Sequence, residues 1–274
     1  MKRGHLIFAQ NSDVDYVRQA YALALTIKKH NKINDVCLVT NDRVPDNYKS
    51  VFDHIIEIPF GDSSSETIWK IENRWKLIYA SPFDETLVYD SDMLLLESND
   101  HWWEFLKNKE LVFTSDVKDY RGNSIKGSVL RKCFTGNSLP DIYFGIHYFK
   151  KTNKSFEFYK WLEIITKNYS DFYKKFTPKN TQAFCSMDVS SSIAIKLLDN
   201  YADCAFLNSP LTFVHMKKEL QGWKNIPGHW NKSLIINFTQ DGKLYLSNNL
   251  QRTVFHYTED EFLSDEMLEA IEKL

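Results

Sequence analysis

The first ninety residues alternate short apolar runs with helical patterns, and this alternation narrows the fold more than any other feature. Leu6 to Ala9 reads as a strand, followed by the polar turn Gln10-Asn11-Ser12-Asp13. Val14 to His30 then carries Val17, Ala20, Tyr21, Ala24, Leu25 and Ile27 at helical spacing. Val36 to Thr40 is a second strand, Pro45 to Phe52 a short helix, and His54 to Ile58 a third strand ended by Pro59. After the loop Gly61 to Ser65, Glu66 to Ala80 reads as a helix with Trp69, Trp75, Leu77 and Ile78, and Pro82 breaks it. The β-α-β-α-β-α-β order predicts an α/β fold with a mostly parallel, twisted sheet and helices on both faces. Ligands of such sheets sit beyond the carboxyl ends of the strands.

The fourth strand delivers two carboxylates to that edge. Glu85-Thr86-Leu87-Val88-Tyr89 is β-prone, Asp90-Ser91-Asp92 follows, and a second apolar run, Met93 to Leu96, begins at once. In an extended segment Asp90 and Asp92 point the same way. Hard carboxylate oxygens in this arrangement suit Mg²⁺ or Mn²⁺, a cation usually shared with substrate phosphates. The plainer reading is a strand ending in a polar turn. Against it, two charges between buried runs are costly unless a cation or strong donors compensate them. No GxGxxG or Walker motif occurs, which excludes a dinucleotide fingerprint and a P-loop.

Beyond Leu96 the pattern is less regular. His101 to Lys107 reads as a helix, Leu111 to Ser115 as a strand, and Val117 to Pro140 as a flap or long surface loop without periodicity. Ile142 to Phe149 is a strand, Ser155 to Asn168 an aromatic-rich helix, and Thr181 to Asn200 contains another helix. Ala205-Phe206, Leu211 to His215, Leu234 to Phe238 and Thr253 to Tyr257 read as short strands of a small mixed C-terminal region. Asp241-Gly242 marks a hairpin turn, and a helix ends the chain. With no linker and no repeat, residues 1–274 are expected to form one domain. Its halves are 1–116, which binds the ligand at the Asp-x-Asp, and 117–274.

The net charge of −2 excludes a generic polyanion binder, but charge is uneven. Residues 117–180 hold 13 basic and 5 acidic side chains, a surplus of +8. Solvated helix faces explain this plainly; a basic surface for an acidic partner is the alternative. Tyr120, Phe134, Trp161, Tyr169 and Tyr173 are interleaved with those charges, a mixture that suits stacking on nucleic-acid bases. Cys37, Cys133, Cys185 and Cys204 show no metal spacing and read as reduced thiols of a cytoplasmic protein. The amino-terminal apolar run is too short for a signal peptide, and no segment reaches membrane-spanning length.

Taken together, the amino half, Val88-Tyr89-Asp90-Ser91-Asp92 and the late His256-Tyr257 resemble glycosyltransferases of the GT-A (Rossmann-like) fold, nearest to the retaining family-8 type. Tyr143-Phe144-Gly145-Ile146 is similar to a shortened form of that family's strand past the metal motif, and Ser186-Met187-Asp188 to the acidic segment opening a later helix. Val254-Phe255-His256-Tyr257-Thr258 matches only the start of the terminal motif, since the following Gly and Lys-Pro-Trp are absent. The sequence is also similar to glycosyltransferases of large tailed phages.

The resemblance implies transfer of a sugar from a nucleotide sugar, a UDP-sugar, to an acceptor hydroxyl with retention, using Mn²⁺ or Mg²⁺. Asp90, Asp92 and His256 would hold the metal, with His215 as the rival to His256. His256 has a plain alternative as a hydrogen-bonded core residue, and His215 one as an acceptor contact. Asp92 and Asp188 are the implied catalytic residues, although Asp188 also suits a helix cap. Ala9, Gln10, Asn11, Tyr16, Lys76, Asp90, Ser91 and Gly145 would line the donor site. Tyr16 equally suits the core. Lys76, or Arg74 beside it, would meet the donor sugar or phosphates, unless Lys76 merely pairs with Glu72 on an exposed face. Lys217 and Lys218 are alternatives for neutralising phosphate. The phage likeness points to a hydroxymethylated DNA base as acceptor, reached through the basic 117–180 segment by base flipping; a carbohydrate or protein hydroxyl is the alternative. A phosphohydrolase is disfavoured, because that class carries its Asp-x-Asp after the first strand with Thr two residues on, where this chain has Leu94.

Overall fold

The computed structural model describes residues 1–64, 70–125, 131–198, 204, 209–221 and 229–274. Strand β1 (Arg3–Phe8) leads to helix α1 (Tyr16–His30). The Asp15 carboxylate caps α1 by accepting the Arg18 amide at 3.0 Å, while Lys28, Lys29 and His30 end it, so both ends suit the helix dipole. There follow β2 (Val36–Val39), the one-turn helix α2 (Asp46–Lys49) and β3 (His54–Ile56). The expected helix over 66–80 is a 3₁₀ turn at Ile71–Lys76 running into α3 (Leu77–Ala80); Trp69 lies outside the described residues.

Next come β4 (Glu85–Asp90), β5 (Met93–Leu95), α4 (Trp102–Leu106), β6 (Leu111–Thr114) and α5 (Lys132–Gly136). Then follow β7 (Tyr143–Lys150), α6 (Asn153–Lys167), α7 (Tyr169–Phe176) and α8 (Met187–Leu197). The chain closes with β8 (Phe213–His215), α9 (Lys218–Gln221), β9 (Ile236–Phe238), β10 (Leu244–Leu246), β11 (Asn249–Leu250), β12 (Val254–His256) and α10 (Asp265–Glu272). The strand expected at Ala205-Phe206 lies outside the described residues. The Val117 to Pro140 stretch holds α5 and an isolated bridge from Lys118 to Val214, so its described parts are tied down.

The central sheet has the order β3-β2-β1-β4-β7-β6. β1, β2, β3 and β4 run parallel, and β7 is antiparallel to both β4 and β6. Thus β7, from the second half of the chain, lies inside the sheet that the first half begins. Neighbouring residues alternate between its faces. Ile7, Leu38, Leu87 and Tyr148 pack on one side with α1, and Leu6, Val39, Val88 and Phe149 on the other with α6 and α8. Each such fully buried side chain contributes roughly 1.5–3 kcal/mol of transfer free energy. Gly4 is required in β1, because a Cβ there would meet the Phe83 ring at 2.3 Å.

Strand order reverses between β1 and β4, which run parallel, and this is the switch point at which ligands bind in such sheets. A small second sheet, β5-β12-β8, stands beside it, and β9, β10 and β11 form a third. The predicted hairpin is the β9–β10 turn, with Gly242 at φ 81°. Among the described residues, no helix is long and apolar enough to cross a membrane, and no disulfide occurs.

Candidate metal and donor site

Asp90 is the last residue of β4 and pairs in register with Phe8 at the end of β1. The chain turns through Ser91 and Asp92 into β5, which pairs antiparallel with β12 so that Met93 faces His256. The Tyr257 amide donates to the Asp92 carbonyl at 3.1 Å and locks that turn. The His256 Nε2 therefore stands 2.9 Å from Asp92 Oδ2. One ligand atom each from Asp90, Asp92 and His256 lies within 4.8 Å of the others. Two carboxylates and an imidazole are a donor set suited to Mn²⁺ or Mg²⁺, and adjacent ligands of an octahedral ion stand about 3 Å apart, as the Asp92–His256 pair does.

Electrostatics within the group are divided. Burial raises the Asp90 carboxyl above its usual range, although Arg74 acts against that shift. Burial also penalises the Asp92 charge, but the charge of His256 and its hydrogen bond outweigh it and hold Asp92 low. Burial opposes the His256 imidazolium, yet Asp92 and Asp90 prevail and its pKa is raised. Arg74 Nη1 donates to Asp90 Oδ1 at 2.9 Å, and its guanidinium lies 4.7 Å from the Phe8 ring centroid. On the other side of Asp90 is Gly145 in β7. A Cβ there would meet Asp90 Oδ2 at 2.8 Å, so Gly145 leaves the carboxylate its room.

His215 reaches the same place by strand register, since β8 runs parallel to β12 with His215 opposite His256. Its ring stacks on that of His256 rather than joining the ligand group. Its Nδ1 is buried and meets no hydrogen-bond partner among the described residues, and burial holds its pKa well below the ordinary histidine value.

Asp188, in the first turn of α8, is fixed by two donors. The Phe144 amide reaches its Oδ1 at 2.8 Å and Arg131 Nη1 its Oδ2 at 2.7 Å. Arg131 is buried between the rings of Phe134 and Tyr143, and also binds Asp141 and the Ile142 carbonyl. Ser186 holds the N-cap position of α8 without a side-chain cap bond. Asp188 is thus tied to β7 rather than spent on capping.

These groups open onto a cleft of about 560 Å³, lined also by Phe8, Gln10, Tyr16, Ser91, Phe184, Lys217, Lys218, His229 and Glu259. Burial pushes the Tyr16 phenol up to about 12. Three expected donor contacts do not line the cleft. Ala9 is buried, and Asn11 accepts the Val17 amide and donates to Asp15 at the start of α1. Lys76 is buried, with its ammonium donating to Gly61 O, Ser63 and Asn73. The basic residue facing Asp90 is Arg74.

The sequence reading missed Arg131 and the His229–Glu259 pair, in which His229 Nδ1 meets Glu259 Oε2. Arg131 sits in an aperiodic stretch, and nothing local marks it. Glu259, three residues past His256 in the acidic run Glu259-Asp260-Glu261, offered the better signal.

Part of the basic surplus of 117–180 is met by acidic residues from outside the segment, and other basic residues pair along their own helix. Lys118 pairs with Asp116, Arg131 with Asp141 and Asp188, Lys150 with Glu85, and Lys160 and Lys167 with Glu163. Tyr120, Phe134 and Tyr173 are buried. These placements give a nucleic-acid surface no support.

No protein-family model matches the sequence, and no curated protein matches it. Among solved structures, the chain is similar to the galactosyltransferase LgtC in complex with donor and acceptor sugar analogues. The TM-score is 0.54 at 11% identity, over 99% of this chain and 96% of that one. The apo-form glycosyltransferase GlyE of Streptococcus pneumoniae TIGR4 is matched with a TM-score of 0.46 at 14% identity over 94% of this chain, which spans 55% of GlyE. In fold, therefore, the chain is similar to the GT-A glycosyltransferase LgtC.

Proposed function

We propose that the protein is a metal-dependent glycosyltransferase that moves a sugar from a nucleotide sugar, a UDP-sugar, to an acceptor hydroxyl with retention. One observation carries the reading: Asp90, Asp92 and His256 converge at the switch point of a fold similar to that of LgtC. These three residues would hold Mn²⁺ or Mg²⁺, which when bound neutralises charge on the leaving nucleoside diphosphate. Gln10 and Tyr16 sit at the carboxyl end of β1, where the nucleoside belongs.

Retention rests on the resemblance, and the state of Asp188 bears on its role alone. Both its oxygens already accept hydrogen bonds, which suits a group that orients the donor sugar better than one that attacks it. The acceptor is a carbohydrate or protein hydroxyl in this reading, since Arg131 and Lys150 of the basic segment are paired with Asp188 and Glu85 and lend a DNA acceptor no support. The test is a panel of nucleotide sugars with Mn²⁺, scored for release of nucleoside diphosphate. One donor, turned over only with metal, is the expected result; no release from any of them would sink the proposal.

A further inference from the structure

On the side of the central sheet away from α1, two helical stripes lie next to each other. Trp75 and Tyr79 stand one turn apart where the 3₁₀ turn runs into α3, and Phe156, Lys160, Glu163 and Lys167 follow one another along α6. The rings meet across the seam, with the Tyr79 centroid 5.7 Å from that of Phe156 and 6.2 Å from that of Trp75. Phe60, from the loop after β3, completes the group. Its ring is parallel to Trp75 at 6.1 Å and edge-on to Tyr79 at 5.3 Å. Trp75 is buried, whereas Phe60 is 71% exposed, Tyr79 40% and Phe156 36%.

Phe60 is held there against its own backbone preference. Its φ is 61°, in the left-handed region that a phenylalanine avoids, and Gly61 follows at 76°. The turn persists because the loop is tied down. The buried Lys76 ammonium donates to the Gly61 carbonyl, and the Asp62 carboxylate accepts from Gln10 and Asn73. A strained residue that leaves most of its ring in water does little for the core, and such strain clusters where ligands bind.

Composition decides what this face can hold. Its exposed rings are aromatic throughout; Ile56 packs on the same core as Trp75, so Ile55 projects from the opposite face of β3. Lys160 and Lys167 both pair with Glu163, which leaves the border close to neutral. A hollow of about 520 Å³ adjoins Phe60 and is lined by Asn41 and Glu57. The Glu57 carboxylate repels phosphate but accepts from hydroxyls. Asn41 accepts the Ile58 amide through Oδ1, and its side-chain N–H groups donate to no described residue.

We propose that Phe60, Tyr79 and Phe156 form a carbohydrate platform outside the cleft. A neutral oligosaccharide would lay the C–H faces of its pyranose rings on the aromatic rings, with Asn41 and Glu57 binding hydroxyls of the unit over Phe60. The loop that carries Phe60 touches the cleft through the Asp62–Gln10 hydrogen bond. A chain held on the platform therefore stays close to the cleft, which raises the local concentration of its ends there.

Calorimetric titration with cellohexaose, maltohexaose and chitohexaose, without nucleotide or metal, tests the site. At least one hexasaccharide should bind the native chain, and the Phe60→Ala/Tyr79→Ala variant should bind it about tenfold more weakly or worse. Phe156→Ser should weaken it severalfold. Mn²⁺ affinity should stay native in both variants, because all three side chains are exposed and none lines the cleft. Failure of every hexasaccharide to bind the native chain overturns the platform. Undiminished binding by the double variant does so too, since the sugar then sits elsewhere. A native dimer that the double variant converts to a monomer in sedimentation makes the face a contact between copies and likewise overturns it. None of these outcomes bears on nucleotide-sugar turnover, which the donor panel tests.

Discussion

The imidazole of His215 lies flat on that of His256, with ring centroids 4.5 Å apart and planes 11° from parallel. The two histidines come from strands joined in register, so one backbone pairing sets both rings. Among the described residues only His256 joins the carboxylates; His215 stacks on it, flanked by Phe213 and Tyr143.

This division predicts unequal effects of substitution. Asp92→Asn and His256→Ala should each reduce Mn²⁺-dependent nucleoside diphosphate release by roughly 100-fold or more. His215→Phe keeps a stacked ring and should keep most of the Mn²⁺ affinity, whereas His215→Ala should lower it severalfold. Metal titration of the four variants measures this. Loss of metal binding in His215→Phe equal to that in His256→Ala would show that His215 is a ligand.

Gly145→Ala should damage the metal site without unfolding the protein. Its Cβ would fall 2.8 Å from Asp90 Oδ2 and 3.2 Å from Met93 Cε, so Asp90 must shift. The expected outcome is a drop in Mn²⁺ affinity of about tenfold, with a melting temperature within a few degrees of the native one.

Arg131 joins stability to the site. Removing it in Arg131→Met leaves Asp188 and Asp141 without their shared cation, at a cost of about 3 kcal/mol. Arg131→Lys should recover little, since one ammonium cannot serve two carboxylates and the Ile142 carbonyl in the same plane. Urea unfolding gives the stability loss, and kcat for donor hydrolysis should fall in parallel.

Acid should destabilise the protein through two buried histidines. Burial holds His147 down to about 3, where its nitrogens meet the Phe144 carbonyl and the Tyr159 hydroxyl, and His5 down to about 4. The folded chain keeps both neutral, while the unfolded chain protonates them below about 6.5. Their contribution is complete above that pH and is lost progressively as pH falls toward the folded values, at about 1.4 kcal/mol per pH unit for each. Urea midpoints between pH 4 and 6 should show this slope, and His147→Gln should flatten it by the share of one histidine.

Asp90 and Asp92 were legible because their chemistry is local: two carboxylates between β-prone runs need compensation wherever they fold. His256 was legible only by likeness, since it reaches the carboxylates through the β5–β12 pairing, which no local pattern announces. Lys76, or Arg74 beside it, was placed at the donor by likeness alone, and the segment is a 3₁₀ turn. In that turn Arg74 meets Asp90 and Lys76 is buried. The basic surplus of 117–180 overstates unpaired charge for a related reason. Counting charge along a segment cannot see Glu85, which neutralises Lys150 from a neighbouring strand.

The Asp92–His256 contact joins residues 164 positions apart, and β12 must add to β5 before it exists. Closing so long a loop comes late in folding, after the local β-α units have formed. A chain shortened to end before Val254 would retain every strand of the central sheet and yet lack a complete ligand set. Cation binding would thus report that the last strand has docked, making metal affinity a gauge of completed folding as well as of catalytic competence.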